Sequence, residues 1–320
     1  MNASPFPCPV CRTPEEYAFL SAILATPADF LLKQVYADWL TERTDSRGEF
    51  LREWLEARSS GHPIPVPVNI SPEWLSVIGF TLDEALLKIG TSWSDAIRQT
   101  AKPGLFVRTT CSASDLPRCG GRVGGFPVLH PSAEWPSTAA GAMTFLAQWN
   151  LADLAASPVC RELPPSGLLS IFADLSSDCT LVPDCRVIYS PSTEELIRRK
   201  QTTSGLAECE VEFVEWLTLP APFAPALDRF GLSQKDHESY AEFRKHYPQP
   251  EGAVHQILGH ASPNQISLRS GNEADYVVLS EFGEDPQAGL GSSSGSRWCV
   301  MIRSDRLAVR DFDEAHLEVW

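Results

Sequence analysis

The sequence predicts an α+β protein with mostly antiparallel or mixed sheets and a few helices, preceded by a small all-α helical module. Three observations carry this. Capped amphipathic helix signals crowd residues 13–58. From Leu105 onward β-type runs dominate, separated by turns rich in proline and glycine. Those runs do not alternate regularly with helices, which argues against a doubly wound parallel sheet. No fixed-period repeat is visible, so a solenoid is not expected. A chain of 320 residues, 43% of them hydrophobic, is long enough for a large core and for two domains.

The helical module comes first. Thr13-Pro14-Glu15-Glu16 supplies an N-cap, a proline at the first helical position and a capping-box glutamate, and Phe19, Leu20, Ile23 and Leu24 follow at helical spacing. Thr26-Pro27-Ala28-Asp29 repeats the device, with an expected apolar face of Leu31, Leu32, Val35, Tyr36, Trp39 and Leu40. Ser46 to Glu49 is a third capping candidate, followed by Phe50, Leu51, Trp54 and Leu55. The module is therefore placed at residues 13–60, with residues 61–80 as a proline-rich linker and short helix and residues 81–320 as the α+β domain. Gly61 to Pro67 is too rich in proline to continue a helix. Ser71-Pro72-Glu73-Trp74 restarts one, and Thr81–Lys88 and Ser92–Gln99 read as further short helices.

Strands are expected at Leu105–Thr109, Ala142–Trp149, Gly167–Ala173, Arg186–Tyr189, Glu208–Leu217, Tyr276–Ser280, Trp298–Arg303 and His316–Trp320. Glu208 to Phe213 alternates carboxylate and apolar side chains, as in a sheet with one wet face. Two helices are expected to interrupt, at Ser192–Lys200 and Ser233–Tyr247.

Charge narrows the function. With 26 basic against 41 acidic residues the net charge is −15, a field that repels phosphate backbones and anionic lipid. Neither nucleic acid nor membrane is an expected partner. Residues 1–20 carry no basic segment followed by an apolar one, and no run of 18 apolar residues exists. Nine cysteines, an odd number without regular spacing, fit a reducing, cytoplasmic setting.

Two sets of words suggest kinship. Val35-Tyr36-Ala37-Asp38-Trp39-Leu40 followed by Asp45-Ser46-Arg47-Gly48-Glu49-Phe50-Leu51-Arg52 resembles the bacterial repeat-companion domain. No activity is known for that family, so the resemblance implies an adaptor at most. Asp38, Arg47, Glu49 and Arg52 are its candidate partner-binding set, against a reading as caps and interhelical ion pairs. Arg122-Val123-Gly124-Gly125-Phe126-Pro127, then Glu134-Trp135-Pro136, then Thr144 to Leu151, resembles the YwqG-like family, a bacterial domain of unknown function. Leu163 to Leu169, Val187-Ile188-Tyr189, His255 to Gln265 and Arg303 to Asp313 continue the resemblance in order over residues 92–320. It implies an α+β fold and no activity. Where that family has a loop rich in Trp, Gly and Asp, this chain has Gly289 to Ser296, so a family site there would be altered.

The candidate chemistry is thin. Gly120 to Gly125 offers a turn whose amides suit an anion, with Arg122 supplying charge where the family commonly has lysine. With His255 and Gln265, the residues Arg122, Gly124 and Gly125 form the candidate ligand set; tight turns and satisfied side chains are the alternative. Gln148 and Asn150 share one strand face, as amides bonded to backbone do. Cys8 and Cys11 have the spacing of half a zinc knuckle but lack a second pair, so no metal is expected. Gly291 to Gly295 satisfies G-x-S-x-G but precedes a strand where a nucleophile elbow needs a helix. No cofactor motif and no catalytic constellation stands out. The sequence thus points to a non-catalytic protein- or ligand-binding protein, an adaptor or immunity-like partner of another protein. The alternative is a sensor or enzyme with a pocket near Gly120–Gly125, His255 and Gln265.

Overall fold

Helices α1 (Pro14–Ala25) and α2 (Phe30–Glu42) begin at the capping residues. Thr13 Oγ1 accepts the Glu16 N–H at 3.2 Å and Asp29 Oδ1 accepts that of Leu32 at 3.0 Å. The computed structural model in which this is seen describes residues 11–60, 65, 67, 70–86, 92–111, 116–139, 141–175, 184–200, 205–261, 275–291 and 297–319. Helix α3 (Ser46–Ser60) is capped by Asp45, one residue before the expected Ser46, through the Arg47 N–H at 3.1 Å. Ser71 caps α4 (Pro72–Ile78), which Gly79 closes at φ 81°, a left-handed position that favours glycine. Short helices α5 (Leu82–Leu86) and α6 (Ser92–Thr100) follow.

The rest of the chain is mainly strand: β1 (Lys102–Cys111), β2 (Arg122–Val123), β3 (Val128–Leu129), β4 (Ser137–Thr138), β5 (Gly141–Ala142) and β6 (Thr144–Asn150). After the one-turn helix α7 (Leu151–Leu154) come β7 (Leu168–Ala173), β8 (Cys185–Ser190), β9 (Ile197–Arg198) and β10 (Cys209–Thr218). Then follow α8 (Gln234–His246), β11 (Ala253–Ile257), β12 (Tyr276–Phe282), β13 (Trp298–Arg303), α9 (Ser304–Ala308) and β14 (His316–Val319). The fold is α+β, as its sequence indicates. It divides into two compact units: Met1–Thr100 with Leu227–Glu251, and Ala101–Ala226 with Gly252–Trp320.

In the helical unit, α2 buries Lys33, Tyr36, Ala37 and Leu40, a stripe spaced i, i+3, i+4, i+7. This corrects the expected apolar face: Leu31 is 70% and Val35 49% exposed, because the helix is rotated to turn Lys33 inward. Lys33 lies over the rings of Phe30 and Trp54, 5.7 and 5.5 Å from their centroids. Glu16 is buried and accepts from the Tyr36 hydroxyl at 2.8 Å, while Tyr36 accepts from Trp74 Nε1 at 2.9 Å. Helix α8 carries a Ser233/Asp236 capping box, and its Tyr240 and Phe243 pack on Trp93 of α6.

Among the described residues of the sheet unit, ten strands form one sheet in the order β14-β13-β12-β11-β1-β10-β2-β6-β7-β8, with antiparallel neighbours throughout. Strands β6 and β12 lie five places apart, which in a flat sheet is roughly 24 Å. Yet Trp149 Nε1 donates to Ser280 Oγ at 2.8 Å, and the Trp149 ring stacks on Phe282 at 6.2 Å. The sheet is therefore rolled around one apolar core, which draws Leu105, Val107, Trp149, Ile171, Phe282 and Val300 from strands along its width. A 3-10 turn, Phe312–Glu314, sits against edge strand β8 through Phe312 and Tyr189. Two-stranded ribbons β3–β9 and β4–β5 lie outside this sheet.

The helix expected at Ser192–Lys200 is absent. Glu195 adopts φ 60° and the chain turns into β9, whose pairing with β3 overrides the local helical pattern. Among the described residues no helix is long and apolar enough to cross a membrane.

Candidate functional site

A buried polar cluster of the sheet unit lies on the inner face of β1. Alternation puts Leu105, Val107, Thr109 and Cys111 on one side of that strand, the first two in the core. His255 of β11 stands opposite Val107, and Cys209 of β10 stands opposite Cys111. A turn from Asp285 to Leu290, closed by backbone hydrogen bonds between those two residues, covers this end of the roll and bonds to Ala207 through the Ala288 carbonyl. His255 Nε2 meets Asp285 Oδ2 at 3.1 Å and Thr109 Oγ1 donates to the same oxygen at 2.7 Å. Asp285 Oδ1 accepts the N–H groups of Gln287 and Ala288 at 2.9 and 3.2 Å.

Burial by itself raises the Asp285 carboxyl. Hydrogen bonds from His255, Thr109 and the Ala288 amide outweigh it and hold the group down at about 2. The three residue types invite comparison with a catalytic relay, but the geometry is wrong for one. A nucleophile must share its proton with the base, and here the Thr109 proton is committed to the carboxylate. The side chains of His255 and Asp285 are 0% and 2% exposed, so no substrate reaches them. His255 Nδ1 is buried without a hydrogen-bond partner. The cluster ties the turn to the sheet.

Arg122 is fully buried in β2, three strands from His255. Its guanidinium donates to Glu208 Oε1 at 2.7 Å, to the Arg118 carbonyl at 2.8 Å and to those of Pro117 and Gly120. Arg198 holds the same Glu208 carboxylate. Gly124 and Gly125 have φ of 67° and 70°, and their N–H groups donate to the Leu146 and Leu206 carbonyls at 2.8 and 2.9 Å. A Cβ on Gly124 would lie 2.0 Å from the Ala207 carbonyl oxygen. Close backbone approach therefore explains these glycines, and their amides are not open to an anion. Gln148 bonds to the Val128 N–H and the Gly120 carbonyl, and Asn150 caps α7. Gln265 lies outside the described residues.

The structure thus does not bring Arg122, Gly124, Gly125 and His255 to one pocket. A cavity of about 690 Å³ in the sheet unit is lined instead by Lys102, Glu162, Leu258, Gly259, Tyr276 and Ser304 among others. Among the described residues, none of Arg122, Gly124, Gly125 and His255 lines it.

In the helical unit Arg47 is buried, bridging Glu16 at 2.8 Å and Asp45 at 2.7 Å. Its place is structural. Asp38 and Arg52 are both exposed and pair at 3.0 Å across α2 and α3. They line a groove of about 390 Å³ together with Gln34, Ala37, Leu55 and Glu56. Glu49 is exposed on the first turn of α3. Cys11 donates to the Thr13 carbonyl at 3.1 Å, while Cys8 lies outside the described residues, as do Ser292 to Ser296 of the serine-rich loop. Among the described residues no three His, Cys, Asp or Glu side chains gather as a metal site would require.

Sequence reasoning missed Thr109, Asp285 and the Cys111–Cys209 pair. Their chain separations are large, Thr109 and Asp285 lying 176 residues apart, and only strand register brings them together.

No curated protein matches the chain. A family model described as a domain of unknown function, DUF1963, matches residues 121–319, which span most of the sheet unit including β2, β6, β10 and the Asp285 turn. On that match, extending over more than half of its length, the chain belongs to the DUF1963 family.

Proposed function

We propose that the protein is a non-catalytic adaptor whose helical head receives a protein segment in the groove between α2 and α3. One observation carries this: the exposed Asp38–Arg52 pair lines that groove, and α2 also leaves Leu31 and Val35 uncovered, seven and three residues before Asp38 and so toward the same side of the helix. Two carboxylates, Asp38 and Glu56, against one guanidinium favour a basic partner segment with an apolar face, consistent with the net charge of −15. The words around Asp38 and Arg52 support assigning residues 13–60 to a repeat-companion module. The blocks from Arg122 onward support a YwqG-like body, expected at 81–320 after a linker at 61–80, in a cytoplasmic protein of immunity-like type; the compact units divide at Thr100, with Trp74 packed on Tyr36 in the helical one. The enzyme alternative lacks support, since His255 and Arg122 are sealed and apart.

The test is affinity capture by the full-length chain and by a Leu31→Glu/Val35→Glu double variant. A partner held by the parent, lost at least tenfold by the variant and released by added salt is the expected result. Retention unchanged in the variant, or no partner for the parent, overturns the reading.

A further inference from the structure

We propose that Cys111 and Cys209 are a thiol-oxidation site, joined as a reversible cross-strand disulfide when the protein meets a hydroperoxide. The two residues are direct register partners at the end of the β1–β10 ladder. The Cys111 N–H donates to Gln287 Oε1 at 3.0 Å, so it is directed away from β10. That makes this a non-hydrogen-bonded pair, the kind in which Cα atoms stand about 4.5 Å apart and side chains are closest. Such a separation falls within the range a disulfide spans. The two sulfurs are already 3.1 Å apart, about 1 Å longer than the bond they would form. Both cysteines are free. Without a third metal ligand among the described residues, thiol chemistry is the use this geometry supports.

The pair is asymmetric. Cys111 is exposed and Cys209 is fully buried. Burial, reinforced by the hydrogen bond with Cys111, pushes the Cys209 thiol up to about 12. Cys209 therefore keeps its proton and Cys111 meets the oxidant. The Cys111 thiolate attacks one peroxide oxygen, the O–O bond breaks, and the departing hydroxide takes the proton Cys111 gave up, leaving water and a sulfenic acid. Cys209 sulfur then attacks Cys111 sulfur. The S–O bond breaks, and hydroxide leaves with the Cys209 proton as a second water. Two thiols lose two electrons and one hydrogen peroxide gains them. Two equivalents of a small thiol reverse the bond by exchange.

The experiment treats the reduced full-length chain with hydrogen peroxide and maps peptides without reduction. The expected result is a Cys111–Cys209 linked pair, two fewer reactive thiols of the nine in the chain, and their recovery on adding dithiothreitol. Cys111→Ser, a change at an exposed position, should leave Cys209 a free thiol and abolish the loss of two. Over-oxidation of Cys111 with Cys209 still free, or linkage of Cys111 to a second molecule, overturns the proposal.

Discussion

Arg47 of the helical unit and Arg122 of the sheet unit are both buried guanidiniums, but their company differs. Arg47 is held by two carboxylates, Glu16 and Asp45, the second only two residues away. Burial opposes its charge, yet the Asp45 hydrogen bond and the surrounding anions keep it above the usual arginine range. Arg122 shares one carboxylate, Glu208, with a second guanidinium and fills its remaining donors with backbone carbonyls. There burial outweighs the attraction of Glu208, Arg198 adds repulsion, and the group is held below the usual range. The helical unit has a spare anion where the sheet unit has a spare cation. Loss of one carboxylate should therefore do unequal damage in the two units.

The largest effect is expected for Glu208→Gln, which leaves Arg122 buried with no anion beside it. A loss of about 3–5 kcal/mol in urea unfolding of the sheet unit is expected. A loss below about 1 kcal/mol would mean that carbonyls alone satisfy Arg122. The Asp285 carboxyl comes next. Its native value of about 2 lies below the roughly 3.9 of an unfolded aspartate, so its stabilisation is present above pH ~4 and disappears as pH falls toward 2. The difference in unfolding free energy between parent and Asp285→Asn should shrink by ~2 kcal/mol from pH 5 to pH 2. A difference independent of pH would show that the carboxylate charge is not what the cluster holds. Asp45→Asn should do least, ~1 kcal/mol, because Glu16 still pairs with Arg47 and asparagine still caps α3. An Asp45→Asn loss equal to that of Glu208→Gln would erase the contrast between the units.

The same contrast governs what could be read from sequence. Thr13, Asp29, Ser71 and Ser233 cap helices because a cap and the amide it satisfies lie two or three residues apart. Strand positions were legible for the same local reason, from β-branched runs between turns. Leu31 and Val35 misled because apolarity alone does not say which way α2 is rotated; Lys33, sheltered by two rings, took the inward place. Arg122 stands out in sequence as a charge beside four glycines, but its partner Glu208 is 86 residues on. Nothing near His255 in sequence marks Asp285, 30 residues on, as its partner. Which acid meets His255 depends on register and on the turn that closes at Leu290.

The central position of β1 sets the order in which this protein can be made. Its partner strands are encoded far downstream: Lys102 pairs with Thr218 and Leu105 with Ile257. During synthesis β1 therefore emerges with neither neighbour. At roughly 5–20 residues per second it waits several seconds for β10 and longer for β11. Throughout that interval its apolar residues Leu105, Phe106 and Val107 are an unpaired strand, the state from which misassembly begins. The capped helices α1 to α4 have no such delay. They are made whole before β10 emerges, although the unit they belong to is completed only by α8, which follows β10 in the chain.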